Sequence, residues 1–280
     1  MGVEFLAVKN IFNPEILISE KDFLIAFKPP RMHSSSSKTE AITDGGSGET
    51  FLEWCTKEYP EIADLPGRRP GDGGLIHRLD YDTQGLLMLA RTKAGMDAIL
   101  EQQKEGSIIK EYSALVLKNE VVLPAFPEKK PELPDWVFSG GSGEGDSALI
   151  CSAFRPYGPG RKSVRPVPLD VVRSEKFAAK KKKHDIALNA DEPYITEILK
   201  ARFLSADVVS FRLMISKGFR HQIRSHLFWI GLPILNDDLY GGSPYGKGFL
   251  GLRACSISFM DPSSKDKRKY SIPPLEPEMI

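Results

Sequence analysis

Apolar residues in this chain come in short runs separated by polar, Pro and Gly clusters, the rhythm of interleaved strands and helices. Ile16 to Ile18 reads as a strand, Glu20-Lys21-Asp22 as a turn, and Phe23 to Phe27 as a second strand ended by Pro29-Pro30. Ser34 to Thr50 is rich in Ser, Gly and Thr and is expected to be an exposed, mobile loop. Phe51 to Tyr59 predicts a short helix stopped by Pro60. Gly71 to Gly74 forms a turn into Leu75-Ile76, and Leu86 to Ala90 is a run apolar enough for a buried strand. Thr92 is a suitable N-cap for a helix from Lys93 to about Lys104, with Gly106 as its stop. Ile108 to Leu117 returns as a strand, with Lys110, Tyr112, Ala114 and Val116 on one face. Asp207 to Ile215 is a further strand. His221 to Ile230 reads as a helix with Ile223, Leu227 and Ile230 on one side and Gly231 closing it. Residues 124–147 and 155–193 read as insertions, and the tail after Pro262 as polar and proline-rich. No βαβ repeat recurs, so the expectation is an α+β fold. It is a single domain over residues 1–280, built on a mixed, largely antiparallel β-sheet flanked by helices.

Composition narrows the class without changing that picture. The chain has 280 residues, 41% hydrophobic and 27% charged, as in ordinary globular proteins. No stretch approaches the roughly 18 apolar residues of a membrane span, and the N-terminus lacks the basic and apolar regions of a signal peptide. Cys55, Cys151 and Cys255 are odd in number and form no CxxC pair, which argues against a disulfide framework or a cysteine zinc site and for a reducing cytoplasm. Charge is unevenly placed. Arg155 to Lys183 holds ten Lys or Arg against Asp170 and Glu175, a local +8, which leaves −7 for the rest of a chain of net +1. Such asymmetry fits either a solvated loop or a basic surface for a polyanion.

Three stretches could carry chemistry. In His77-Arg78-Leu79-Asp80-Tyr81-Asp82-Thr83-Gln84-Gly85, Arg78 and Asp80 share a side of an extended backbone. A neighbouring arginine keeps a carboxylate charged, and the pair reads as a surface ion pair or as a nucleophile in a cleft. Asp82 offers a second carboxylate for acid–base work, although Asp-x-Thr at a turn commonly bonds its own backbone. In Gly218 to His226, Arg220 and Arg224 are expected on adjacent turns at the rim of the apolar face, able to reach phosphates or a buried carboxylate. His221 and His226 are badly spaced for a metal and there is no HExxH, so no metal site is expected. Tyr112 is either a core aromatic or a platform for a flat base.

Taken together, these segments resemble the RluA family of pseudouridine synthases. HRLDYDTQGLLMLARTKAG is similar to that family's HRLDxxTSGLLLxAK, and GFRHQIRSHLFWIGLPILNDDLYGG to its GRTHQIRVHLxxxGxPIxGDxxYG. ILISEKDFLIAFKPPRMHS looks like its N-terminal segment with a Lys-Pro-x-Gly sequence, and IIKEYSALV like its KxYxALV strand. The four occur in the family's order between about Ile16 and Gly242. The resemblance implies the pseudouridine synthase fold and an RNA substrate, ribosomal or transfer, with no cofactor, metal, membrane or obligate protein partner. It implies Asp80 as the catalytic aspartate and Arg78 as the side chain that helps displace the base. Tyr112 is implied to pack on the uracil and take part in proton transfer, Arg224 to pair with the aspartate, and Ile223 to line the pocket. His77, Thr83, His221 and Arg220 fall inside the same motifs and are expected at the substrate. The sequence departs from the family at Gln84 (usually Ser), Phe219-Arg220 (usually Arg-Thr), Arg31-Met32 (usually small residues) and Asn236 (usually Gly). No separate N-terminal RNA-binding domain is evident, and the 155–183 segment is a candidate substitute. An N-glycosidase that frees uracil, or an RNA-binding protein without turnover, remains an alternative.

Overall fold

The computed structural model describes residues 2–36, 48–117, 126–141, 147–174, 191–205 and 207–280. In chain order the first half contributes β1 (Glu4–Phe5), β2 (Glu15–Ser19), β3 (Phe23–Lys28), α1 (Phe51–Thr56), β4 (Gln84–Ala90), α2 (Lys93–Glu105) and β5 (Ile109–Leu117). Then follow α3 (Trp136–Ser139), β6 (Ala148–Tyr157), β7 (Ser163–Val167), α4 (Leu169–Arg173), β8 (Tyr194–Phe203), β9 (Val208–Ile215), α5 (Gln222–Trp229), β10 (Leu252–Met260) and β11 (Lys267–Ser271). No helix among the described residues is long and apolar enough to cross a membrane. The chain divides into two compact units. The first comprises residues 1–112 and 252–274, and the second residues 113–251 and 275–280.

In the first unit the sheet order is β2-β3-β4-β10, with β11 beside β10 and β1 beside β11. β2, β3 and β4 pair antiparallel, β4 and β10 parallel, β10 and β11 antiparallel. All seven residues of β4 are buried, as the apolar run requires of a central strand. Phe23, Ile25, Phe27, Leu86, Met88 and Phe259 share its core with Ile99 of α2. Thr92 caps α2 by accepting from Gly95 N–H at 3.0 Å, and Gly106 ends it in the left-handed conformation. α1 opens on a capping box between Thr50 and Glu53 but stops at Thr56, three residues short of the expected end. Pro60 starts a separate 3-10 turn and forces Tyr59 out of helical geometry.

In the second unit β9, β8, β6 and β7 follow one another, each pair antiparallel. Antiparallel pairs therefore predominate in a mixed α+β architecture, as expected. Part of the stretch read as insertion is sheet: residues 155–157 are the end of β6, and residues 163–167 are its hairpin partner β7. The run Lys180 to Lys183 lies outside the described residues. All eight residues of α5 are buried, against the one-sided helix expected. Its polar members are satisfied inside. Ser225 Oγ donates to Val164 O (3.1 Å), Gln222 Nε2 to Ile195 O (2.9 Å), and His226 bonds Ser152 and Thr196 through its two ring nitrogens. The tail is likewise not merely polar, because β11 pairs with β10 and Tyr270, Ile272, Leu275 and Ile280 are buried.

Candidate active site

The HRLD stretch connects a segment lying alongside β4 to β4 itself. Ile76 N–H donates to Met88 O (3.1 Å) and Ala90 N–H to Gly74 O (2.7 Å), so residues 74–76 lie along β4. The chain departs as the loop 77–83 and returns as β4 itself at Gln84. Gly85 allows that return. Its φ is +126°, and a Cβ there would stand 2.3 Å from Ala254 O on the paired strand β10.

Backbone bonds fix Asp80 from both sides. Ser34 Oγ donates to Leu79 O (2.8 Å) and accepts from Leu79 N–H (3.1 Å). Tyr81 O accepts from Met32 N–H (3.2 Å) and from Lys28 Nζ (3.1 Å). Thr83 N–H donates to Asp80 O (3.1 Å), closing the turn. The His33 ring lies against Tyr81, with centroids 4.6 Å apart. Ser34 and Ser35 are thus buried in this site, contrary to the expected exposed loop from Ser34 to Thr50. Of that loop, residues 37–47 lie outside the described residues.

Tyr112 is buried at the end of the first unit's share of β5. Burial, then the charge of Asp80, pushes its phenol well above the ordinary range, so it stays protonated at neutral pH. His77 is kept neutral by burial and by Lys110 and Arg68, and among the described residues neither of its ring nitrogens has a hydrogen-bond partner. Lys110, buried beside it, is lowered to about 8 by burial and by Arg68. Thr83 Oγ1 is also buried with no partner among the described residues, and Arg78 is partly exposed.

Gln84, where the resemblance sets Ser, meets a partner that no local pattern announces. Its Oε1 accepts from Arg253 Nη2 (2.7 Å) and Nε (3.2 Å) across the β4–β10 pairing. Arg253 is 2% exposed, and its Nη1 donates to Pro273 O (3.1 Å).

The remaining expected residues belong to the second unit. Arg224 is buried in a two-point pair with Asp237, Nε to Oδ2 at 2.7 Å and Nη2 to Oδ1 at 2.8 Å, with the Tyr240 ring 5.4 Å from its guanidinium. Ile223 is buried next to it. His221 stands before α5 with φ +54° and shares its Nδ1 with Tyr240 Oη (3.1 Å). That left-handed residue starts the helix one position late and leaves Arg220 off it, so Arg220 and Arg224 do not stack on adjacent turns. Arg220 instead donates to Arg161 O (2.6 Å) at the tip of the β6–β7 hairpin. His226 is neutral, lowered to about 3 by burial. Among the described residues no three His, Cys, Asp or Glu side chains converge as a metal site.

Known proteins share this chain's sequence pattern and fold. The family model for RNA pseudouridylate synthase matches residues 22–229. The chain belongs to the RNA pseudouridylate synthase family. It is 26% identical over 233 residues to ribosomal large subunit pseudouridine synthase D of Buchnera aphidicola subsp. Schizaphis graminum, covering 82% of this chain and 55% of that protein. The Escherichia coli K12 protein of the same name is 23% identical over 82% of this chain and 53% of its own. The chain therefore spans about half the length of these curated relatives. The solved structure of human RNA pseudouridylate synthase domain containing 1 superposes with a TM-score of 0.56 at 18% identity, over 96% of this chain and 86% of that one. The human domain containing 4 protein gives 0.55 at 15% identity, over 95% and 90%. These two likenesses establish the fold.

Proposed function

We propose that this protein isomerises uridines within RNA to pseudouridine, with Asp80 as the catalytic carboxylate. The observation that carries the reading is the loop 77–83, whose backbone on both sides of Asp80 is tied down while Tyr112 lies within the carboxylate's field. A carboxylate fixed in this way suits a reaction governed by near-attack geometry. The N1–C1′ bond breaks, the base turns over, C5 bonds to C1′, the C5 proton leaves and N1 gains one. Nothing is gained or lost overall. Asp80 either attacks C1′ or supports elimination at the sugar. Because Tyr112 is held protonated, it is not a resident base at neutral pH. It packs on the uracil, and water or a concerted transfer takes the C5 proton.

Reaching C1′ requires the nucleotide to leave the stack, at a cost of a few kcal/mol, and Arg78 fills the gap. Ribosomal RNA is the preferred substrate, in keeping with the names of the relatives, and transfer RNA the alternative. The thiols of Cys55 and Cys151 are free, which suits a reducing cytoplasm. Arg155 and Arg165 sit directly opposite each other on β6 and β7, with Arg161 and Lys162 at the hairpin tip. This basic cluster on one hairpin supports phosphate contacts with a bound RNA. The discriminating experiment is mass analysis of RNA after incubation with the protein. Pseudouridine at unchanged mass is expected, whereas free uracil would assign an N-glycosidase.

A further inference from the structure

Lys28 ends β3 and is completely buried. Its Nζ lies 2.9 Å from Pro29 O, 2.7 Å from Met32 O and 3.1 Å from Tyr81 O. An ammonium has three N–H groups and can serve all three carbonyls, whereas a neutral amine has two and must release one. None of the three acceptors is charged. Burying a cation on backbone dipoles alone is costly, and an apolar side chain would fill the end of a buried strand at less cost. What the lysine provides instead is a hold on the carbonyl of the residue that follows Asp80. The segment it ties to is itself constrained, since Arg31 has φ +58°, a conformation that non-glycine residues seldom adopt. The carboxylates whose charge reaches Lys28 are Asp80 and Asp82, on either side of Tyr81.

We infer that Lys28 is a positioning residue for Asp80, its ammonium locking the Tyr81 carbonyl onto the Lys28–Met32 turn. The inference rests on Asp80 being the catalytic carboxylate. It makes the lock dependent on protonation. Burial brings Lys28 down to about 7, against the support of Asp80 and Asp82, so the third hydrogen bond is lost as pH rises through neutrality.

The test is tritium release from [5-³H]uridine-labelled RNA across pH 5.5 to 9 for wild type, Lys28→Met and Asp80→Asn. Lys28→Met is expected to lower kcat about 10- to 100-fold with KM within about twofold, the signature of a misplaced group rather than lost binding. The wild-type rate is expected to fall as Lys28 deprotonates, and the variant's residual rate to lack that limb. A Lys28→Met enzyme with wild-type kcat and pH profile overturns the inference. Should the variant not fold, ¹³Cε NMR of Lys28 in the wild type decides. Its titration midpoint should match that of the high-pH limb of kcat, and a mismatch above one pH unit overturns the inference. Asp80→Asn separates the two claims. Active wild type, inactive Asp80→Asn and unaffected Lys28→Met sink the role of Lys28 alone, while a wild type that releases no tritium sinks the functional reading.

Discussion

Ser34→Ala is the sharpest probe of how the Asp80 loop is held. The hydroxyl serves both the N–H and the C=O of Leu79, at 3.1 and 2.8 Å, inside a buried site. Alanine removes both bonds and leaves two peptide groups without their partner. Each orphaned group costs about 1–3 kcal/mol, so the loop should be destabilised by about 2–5 kcal/mol after some relief by water. The effect is local, because no core apolar contact is lost. Global unfolding in urea should therefore shift less than amide exchange at Leu79 and its neighbours. A loop loosened by that amount no longer presents Asp80 in one place, and kcat should fall about 10- to 100-fold. Urea denaturation, hydrogen exchange and single-turnover tritium release together make the assay. Unchanged exchange in residues 77–83 with wild-type kcat would refute the idea that Ser34 fixes the carboxylate.

The hairpin reading predicts that replacing Arg155 and Arg165 together with alanine flattens the dependence of log K on log salt by about 1.4 for single-stranded RNA, measured by fluorescence anisotropy. An unchanged slope would remove these arginines from the interface. His226 is neutral and buried, lowered to about 3 from 6.5. The unfolded chain binds its proton first as pH falls, so stability should drop below pH 6.5 by about 1.4 kcal/mol per unit from this group. Urea titrations at pH 7 and 5 of wild type and His226→Asn should differ in that slope, and equal slopes would contradict its burial as a neutral ring.

The legible parts of the fold are those in which local chemistry and burial agree. Thr92 and Gly106 bracket α2 because capping and left-handed geometry are local requirements, and β4 declares itself by an apolar run that a doubly flanked strand needs. β11 was illegible for the opposite reason. Four of its five residues are polar, and its identity as a strand comes from pairing with β10. The hairpin arm Ser163–Val167 was hidden by its arginine and proline, and the full burial of α5 by Gln222, Ser225 and His226, whose partners are supplied by β6, β7 and β8. At the candidate site, the HRLD motif and Tyr112 could be read directly. Ser34, Lys28 and Arg253 could not, since each acts through a partner distant in sequence: Ser34 on Leu79, Lys28 on Tyr81, Arg253 on Gln84. A lysine before two prolines marks the end of a strand, and only the folded backbone shows which carbonyls it serves.

The most direct test of the central claim is tritium release from [5-³H]uridine-labelled RNA by wild-type protein and by Asp80→Asn, with RNA binding measured in parallel. Release by the wild type, loss of at least about 10³-fold in the variant, and RNA affinity retained within about threefold is the predicted result. Undiminished release by Asp80→Asn would contradict it.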